Sequence, residues 1–133
     1  YKDIFDGIDA LPYREQIRLV GPVYGEGLAG VYQMARVMAY PSMFEGFGYP
    51  VLEAMRQGTP VLTSGISSMP EAGGDAAHYV NPESLDDIAS GLCKILNDES
   101  YRQELIEKGT RHAEGFTAEK MAKETLEVYR KLA

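Results

Sequence analysis

Tyr40-Pro41-Ser42-Met43-Phe44-Glu45-Gly46-Phe47-Gly48-Tyr49-Pro50-Val51-Leu52-Glu53-Ala54-Met55 is the stretch that decides how this chain reads. It opens on the end of an apolar run, Val37 to Tyr40, stopped by Pro41. It closes in a short helix, Val51 to Gln57, with Gly58 placed for a left-handed cap. A strand, a glycine-containing turn and a helix thus follow one another directly. Gly46 and Gly48 allow backbone angles and close ligand approach that a Cβ would block. Pro50 suits the first helical position, where its fixed φ fits and its missing N–H costs nothing. The amides of Tyr49, Val51 and Leu52 then stand free at a helix N-terminus, which favours phosphate. Glu45 lies on the loop and Glu53 in the first helical turn; each carboxylate can grip vicinal hydroxyls. Beside a phosphate, Glu53 should turn toward a neutral diol. Sugar, diphosphate and ribose have that distribution of charge. The same pattern also has a purely structural reading: a first-turn Glu gains about 0.3–1 kcal/mol from the helix dipole with no ligand present.

Outward from this stretch, short apolar runs alternate with amphipathic segments. Upstream, Asp3 to Leu11 reads as helix, Ile17-Arg18-Leu19-Val20 as a strand stopped by Gly21-Pro22, and Leu28 to Arg36 as a helix with Leu28, Val31, Tyr32 and Ala35 on one face. Downstream, Val61 to Thr63 and Ala77 to Val80 read as strands. Ser84 is a fit N-cap for a helix carrying Leu85, Ile88, Leu92, Ile95 and Leu96. Tyr101, Leu105 and Ile106 mark another helix. Thr117 starts a last one, with Met121, Leu126, Val128, Tyr129 and Leu132 as its apolar face. Strands separated by single helices imply a parallel sheet. The predicted class is α/β, doubly wound and Rossmann-like, with ligands at the carboxyl ends of the strands.

Composition narrows the function. The 133 residues carry a net charge of -7, and no Lys/Arg cluster exceeds two neighbours. Nucleic acid and anionic lipid both call for a concentrated basic face, which this chain lacks. No apolar run approaches the roughly 20 residues of a membrane span, and no signal-peptide pattern opens the chain. The single cysteine, Cys93, sits among Leu92, Ile95 and Leu96 and reads as a buried structural thiol; the compartment reads as reducing, hence cytoplasmic. The chain begins with Tyr1 and runs directly into helix, which reads as mid-domain, so a segment of a larger protein is expected. His78 reads as structural or merely exposed, His112 as surface. Neither has a Cys or carboxylate partner at metal spacing, and no metal is expected. Ser64, Ser67 and Ser68 read as caps of the turn after Val61 to Thr63, since no Gly-x-Ser-x-Gly elbow is present. Glu71 reads as a structural residue of the same segment.

Glu45-Gly46-Phe47-Gly48-Tyr49-Pro50-Val51-Leu52-Glu53 resembles the Glu-x7-Glu signature of the large family of retaining glycosyltransferases with the GT-B fold, family 4 of the usual classification. Ala39-Tyr40-Pro41-Ser42 before it and Gly58-Thr59-Pro60-Val61 after it agree. Ser67-Ser68-Met69-Pro70-Glu71, Gly74-Asp75-Ala76-Ala77, Val80-Asn81-Pro82 and the closing segment from Phe116 to Leu132 follow in the family's order. The resemblance implies that Glu45 binds hydroxyls of the transferred sugar. The amides of Phe47, Gly48 and Tyr49, next to Gly46, would hold sugar hydroxyls or the nearer phosphate. Those of Val51 and Leu52 would hold the diphosphate, and Glu53 both ribose hydroxyls. The base would lie near Gly21 and Val23, where Val23-Tyr24-Gly25-Glu26-Gly27 departs from the family's acidic pattern and leaves the UDP or GDP preference open. Donor binding would need no cofactor or metal, only the nucleotide sugar itself. The resemblance further implies that residues 1–133 form a partial donor-binding domain. An upstream Arg and Lys that clamp the diphosphate, the first strands, and an N-terminal domain for a carbohydrate or lipid-linked acceptor all lie outside it. Two other functions fit the same architecture: a nucleotide-sugar epimerase and a non-catalytic nucleotide-sugar-binding module.

Overall fold

The computed structural model describes residues 2–132. Three apolar runs form a parallel sheet in the order β1-β2-β3, from Met38–Tyr40, Val61–Ser64 and Ala77–Val80. Met38 stands opposite Val61 and Tyr40 opposite Thr63; Val61 stands opposite Ala77 and Ser64 opposite Val80. The central strand is buried at every position, as a strand covered on both faces must be.

The two faces gather separate cores. Val61 and Ala77 pack with Val51, Met55, Met69, Ala72 and Ala113, whereas Leu62 and Val80 pack with Ile95 and Leu105. That alternation follows from the two-residue period of a strand. Helices α3 (Tyr49–Arg56) and α4 (Met69–Gly73) cover the first face, and α5 (Leu85–Asn97) covers the second. Helix α6 (Glu99–Glu114) reaches both cores, Ala113 joining the first and Leu105 the second. The chain is α/β with a doubly wound parallel sheet, as its pattern predicts.

Local signals set the helix ends. Gly58 takes φ +72; its amide donates to the Met55 carbonyl and that of Thr59 to the Ala54 carbonyl, both at 3.0 Å. These paired bonds close α3 in a Schellman motif, with glycine at the left-handed position. The Ser84 hydroxyl accepts from the Asp87 amide at 3.2 Å and starts α5. The Asp98 carboxylate does the same for α6 through the Tyr101 amide, at 2.9 Å.

Several expectations need correction. Ile17 to Val20 forms no strand among the described residues; it is irregular, with Val20 68% exposed. A strand exists through its hydrogen-bonded neighbour, and β1 pairs only with β2 here. Helix α2 spans Glu26–Met34, two residues earlier than the pattern suggests, because Ala35 turns extended. Pro50 sits second in α3, after Tyr49. Cys93 is exposed. On α5 the buried positions are Gly91 and Ile95, and two residues on from Gly91 is about 200° around the helix. Leu85, at the first turn and 83% exposed, also lies off the packed face. Helix α7 (Ala118–Leu132) forms as expected, with the Thr117 hydroxyl accepting from the Lys120 amide, yet buries no residue. Helix α1 (Lys2–Asp9) buries none either. No helix among the described residues is long and apolar enough to cross a membrane.

Candidate functional site

The loop from Pro41 to Gly48 leaves the carboxyl end of β1 and enters α3. Gly48 is its pivot, with φ +109 and ψ 39 as the N-cap of α3. A Cβ there would come within 2.5 Å of Met69 Cε and 3.1 Å of Ala72 Cβ. Both the backbone angle and the lack of space behind it call for glycine.

Glu45 is held on two sides. Its Oε1 accepts from the Tyr40 hydroxyl at 2.5 Å and the Ser42 hydroxyl at 3.0 Å. Its carbonyl accepts from Ser68 Oγ at 3.0 Å and Ser67 Oγ at 3.2 Å. The Ser64 hydroxyl donates to the Ser42 carbonyl, completing the tie between the end of β2 and the loop. The phenol of Tyr40 titrates above its ordinary range because it donates to Glu45, with burial and the Glu45 charge adding to this.

The serines therefore do different work from the expected capping. Ser68 precedes α4 in a helical backbone conformation, φ -84 and ψ -5, and its side chain makes no capping bond. An N-cap ordinarily has extended dihedrals that bring its oxygen over the next free amides. Here both hydroxyls turn to the loop instead. Ser67 has φ +57, a left-handed conformation that non-glycine residues rarely take and that is common where function constrains the backbone.

Glu53 projects from the exposed side of α3. Its Oε2 accepts from the Tyr32 hydroxyl of α2 at 3.2 Å. Burial, with the Glu53 charge and hydrogen bond, pushes the Tyr32 phenol up to about 12. Glu53 lines a cavity of about 830 Å³ together with Phe47, Tyr49, Leu52, Arg56 and Glu71. Gly115, Phe116, Thr117, Ala118, Lys120, Met121 and Glu124 complete its lining. The rings of Phe47, Tyr49 and Phe116 form a continuous series, with centroids 5.2 Å and 5.8 Å apart. Arg56 Nη2 donates to the carbonyls of Ala113 and Phe116 and so fixes the corner between α6 and α7.

The sequence-predicted donors divide in the structure. The Val51 amide is engaged, donating to the Gly48 carbonyl at 3.0 Å, so it is not the free donor expected at this turn. Among the described residues the amides of Phe47, Gly48 and Tyr49 donate to no backbone carbonyl. Gly46, Phe47, Gly48, Tyr49, Leu52 and Glu53 stay together on this loop and helix start. Gly21 and Val23 line neither this cavity nor the smaller one, of about 490 Å³, at the ends of β2 and β3. Tyr32, Tyr40, Ser42 and Arg56 were not legible as site residues. Ser42 and Tyr40 stand three and five positions before Glu45, and that proximity was the available signal. Tyr32 lies 21 residues from Glu53 and gives none.

His112 is not a plain surface residue. It is partly buried, with Nε2 3.0 Å from the Ala72 carbonyl and its ring 5.0 Å from that of Phe116. It neighbours the fully buried Ala113, and that face of α6 meets α4. His78 is structural: its Nδ1 is 2.8 Å from the Tyr101 hydroxyl, and burial lowers its pKa, with Lys94 adding to the effect. Among the described residues no three His, Cys, Asp or Glu side chains gather as a metal cluster.

Residues 2–112 match the family model described as glycosyl transferases group 1. The chain is similar to O-antigen chain mannosyltransferase B of Escherichia coli, 39% identical over 87% of this chain and 30% of that protein. It is similar to a D-inositol 3-phosphate glycosyltransferase of Kribbella flavida, 36% identical over 85% of this chain and 27% of that protein. Among solved structures, sucrose-phosphate synthase from Thermosynechococcus elongatus superposes with a TM-score of 0.85. That match has 28% identity and covers 98% of this chain and 34% of the other. The chain thus spans about a third of the length of these relatives.

Proposed function

Because this chain belongs to the group 1 glycosyl transferases, we propose that it supplies the donor side of a sugar transfer from a nucleoside diphosphate to an acceptor hydroxyl. The observation that carries this reading is the juxtaposition at Gly48. A left-handed glycine opens a helix at whose start the amides of Phe47, Gly48 and Tyr49 donate to no backbone carbonyl, and Glu45 and Glu53, each with a hydroxyl partner, stand on either side of it. In the proposed arrangement Glu45 takes hydroxyls of the transferred sugar. The amides of Phe47, Gly48, Tyr49 and Leu52 face the diphosphate, and Glu53 takes the ribose. The helix N-terminus then stabilises charge that grows on the phosphate as it leaves, at no reorganisation cost.

The chemistry we propose retains the anomeric configuration. The bond from the anomeric carbon to the phosphate oxygen breaks while the acceptor oxygen attacks from the same face. The acceptor proton passes to the departing phosphate oxygen. The chain's part in this is positioning and charge stabilisation, with no covalent step on the protein. Residues 1–133 act, in this reading, as a partial nucleotide-sugar-binding domain, and acceptor binding belongs to the remainder of the longer architecture that the relatives display. Mannosyltransferases among the relatives make GDP-mannose the first donor to try.

The test is an NMR titration of the 133-residue chain with GDP-mannose, UDP-glucose and ADP-glucose, following the amides of Gly46, Gly48 and Leu52. Millimolar affinity corresponds to about -4 kcal/mol and is readily seen by this method. Saturable shifts that disappear in Glu53→Ala support the donor site and rank the bases. A folded sample whose three amides ignore all three nucleotide sugars overturns the reading for this chain.

A further inference from the structure

Resting on that donor-site reading, we propose that Tyr40 and Ser42 are positioning residues that occupy one oxygen of Glu45 and leave only the other to accept from the sugar. Both hydroxyls donate to the same atom, Oε1, at 2.5 Å and 3.0 Å. They arise from the last residue of β1 and the second residue after it, so the backbone of the sheet sets their direction. Tyr40 is partly buried against the first core, and its carbonyl accepts from Thr63 Oγ1 at 2.8 Å. The phenol therefore has little freedom to follow a moving carboxylate. On the other side Ser67 and Ser68 hold the Glu45 carbonyl. With main chain and Oε1 both held, the carboxylate cannot swing to offer two oxygens to a vicinal diol.

This differs from the expectation drawn from residue type, in which Glu45 and Glu53 each grip two adjacent hydroxyls. The constraint falls on Glu45. Glu53 is exposed and carries one longer contact, 3.2 Å from Tyr32. The two carboxylates of the signature are thus unequal: one is aimed by its neighbours and the other adapts. A fixed acceptor oxygen reads the position and stereochemistry of the hydroxyl aimed at it, because a sugar lacking that hydroxyl leaves Oε2 short of a partner. The elevated titration of the Tyr40 phenol is consistent with a hydroxyl engaged by the carboxylate.

The experiment follows the two γ-protons of Glu45 in wild type, Tyr40→Phe, Ser42→Ala and Ser42→Thr, each before and after addition of GDP-mannose. A held side chain gives two well-separated γ-proton signals, and rotation averages their shift difference down until the signals overlap. The expected result is separate signals in the wild type and in Ser42→Thr, with merging strongest in Tyr40→Phe. The methyl signals of Leu62 and Val80 should stay unmoved, showing that the second core is intact. GDP-mannose affinity should fall about tenfold in Tyr40→Phe, the scale of one hydrogen bond to a charged group. Signals that remain separate in Tyr40→Phe, or that are already merged in the wild type, overturn the proposal. Held and released states without any response to GDP-mannose would sustain the positioning of Glu45 and count against the mannosyl donor alone.

Discussion

Helices α3 and α7 are both amphipathic, yet they lead opposite lives in this molecule. In the eight residues of α3, Val51, Leu52, Ala54 and Met55 are buried. In the fifteen of α7 none is, and Met121, Leu126, Val128 and Tyr129 lie open. Helix α3 has the sheet beneath it, α4 beside it and α6 along its flank. Helix α7 is secured at its root, where Thr117 caps it and Arg56 holds the Phe116 carbonyl. Local sequence is enough to form a helix, but an apolar stripe gains its stabilisation only where another surface removes it from water. The loop from Pro41 to Gly48 leads into the helix that is packed, which is what a site with fixed geometry requires.

The contrast can be broken or sharpened by substitution in each region. The largest effect is expected at Met55, which is 1% exposed and packed in the first core. Met55→Ala should lower unfolding free energy by about 2–5 kcal/mol through lost transfer energy and the cavity left behind. Urea denaturation of the 133-residue chain measures it. Gly48→Ala should follow, at about 2 kcal/mol in the same assay, from the left-handed backbone and the approach of Met69 and Ala72. The smallest effect is expected for Leu126→Ala on α7, within about 0.5 kcal/mol. If Leu126→Ala costs as much as Met55→Ala, α7 is docked in solution and the comparison between the two helices fails.

Much of the fold was legible because its signals are local. Apolar runs bounded by proline, glycine and serine marked β1, β2 and β3 within a residue or so. Ser84, Thr117 and Gly58 announced helix ends through the bonds their own side chains or backbones make. The errors share one cause. Ile17 to Val20 has the composition of a strand, but pairing depends on neighbours that no local pattern contains. Cys93 sits beside Leu92 and near Ile95, and Leu85 reads as the first apolar residue of the same helix, yet both lie off the packed face, since a helix turns about 100° per residue. His112 was assigned to the surface because nothing near it in sequence shows that α4 lies across from it.

The candidate site divides in the same way. Glu45, Gly48, Pro50 and Glu53 were legible because strand end, turn and helix start follow one another along the chain. Other ties that hold those groups came from elsewhere in the chain. Tyr32 reaches Glu53 from α2, and Ser67 and Ser68 reach the Glu45 carbonyl from the loop after β2.

By itself, then, the sequence determined most of the segments that become strands and helices, where most of them stop, and which loop carries two carboxylates around a helix start. Those properties follow from bonded neighbours and the periods of the backbone. Tertiary structure alone decided which apolar faces are buried, that Ser67 and Ser68 hold the Glu45 carbonyl, and that Tyr32 reaches Glu53. Those properties depend on distances between residues far apart in the chain, which packing sets and local composition does not encode.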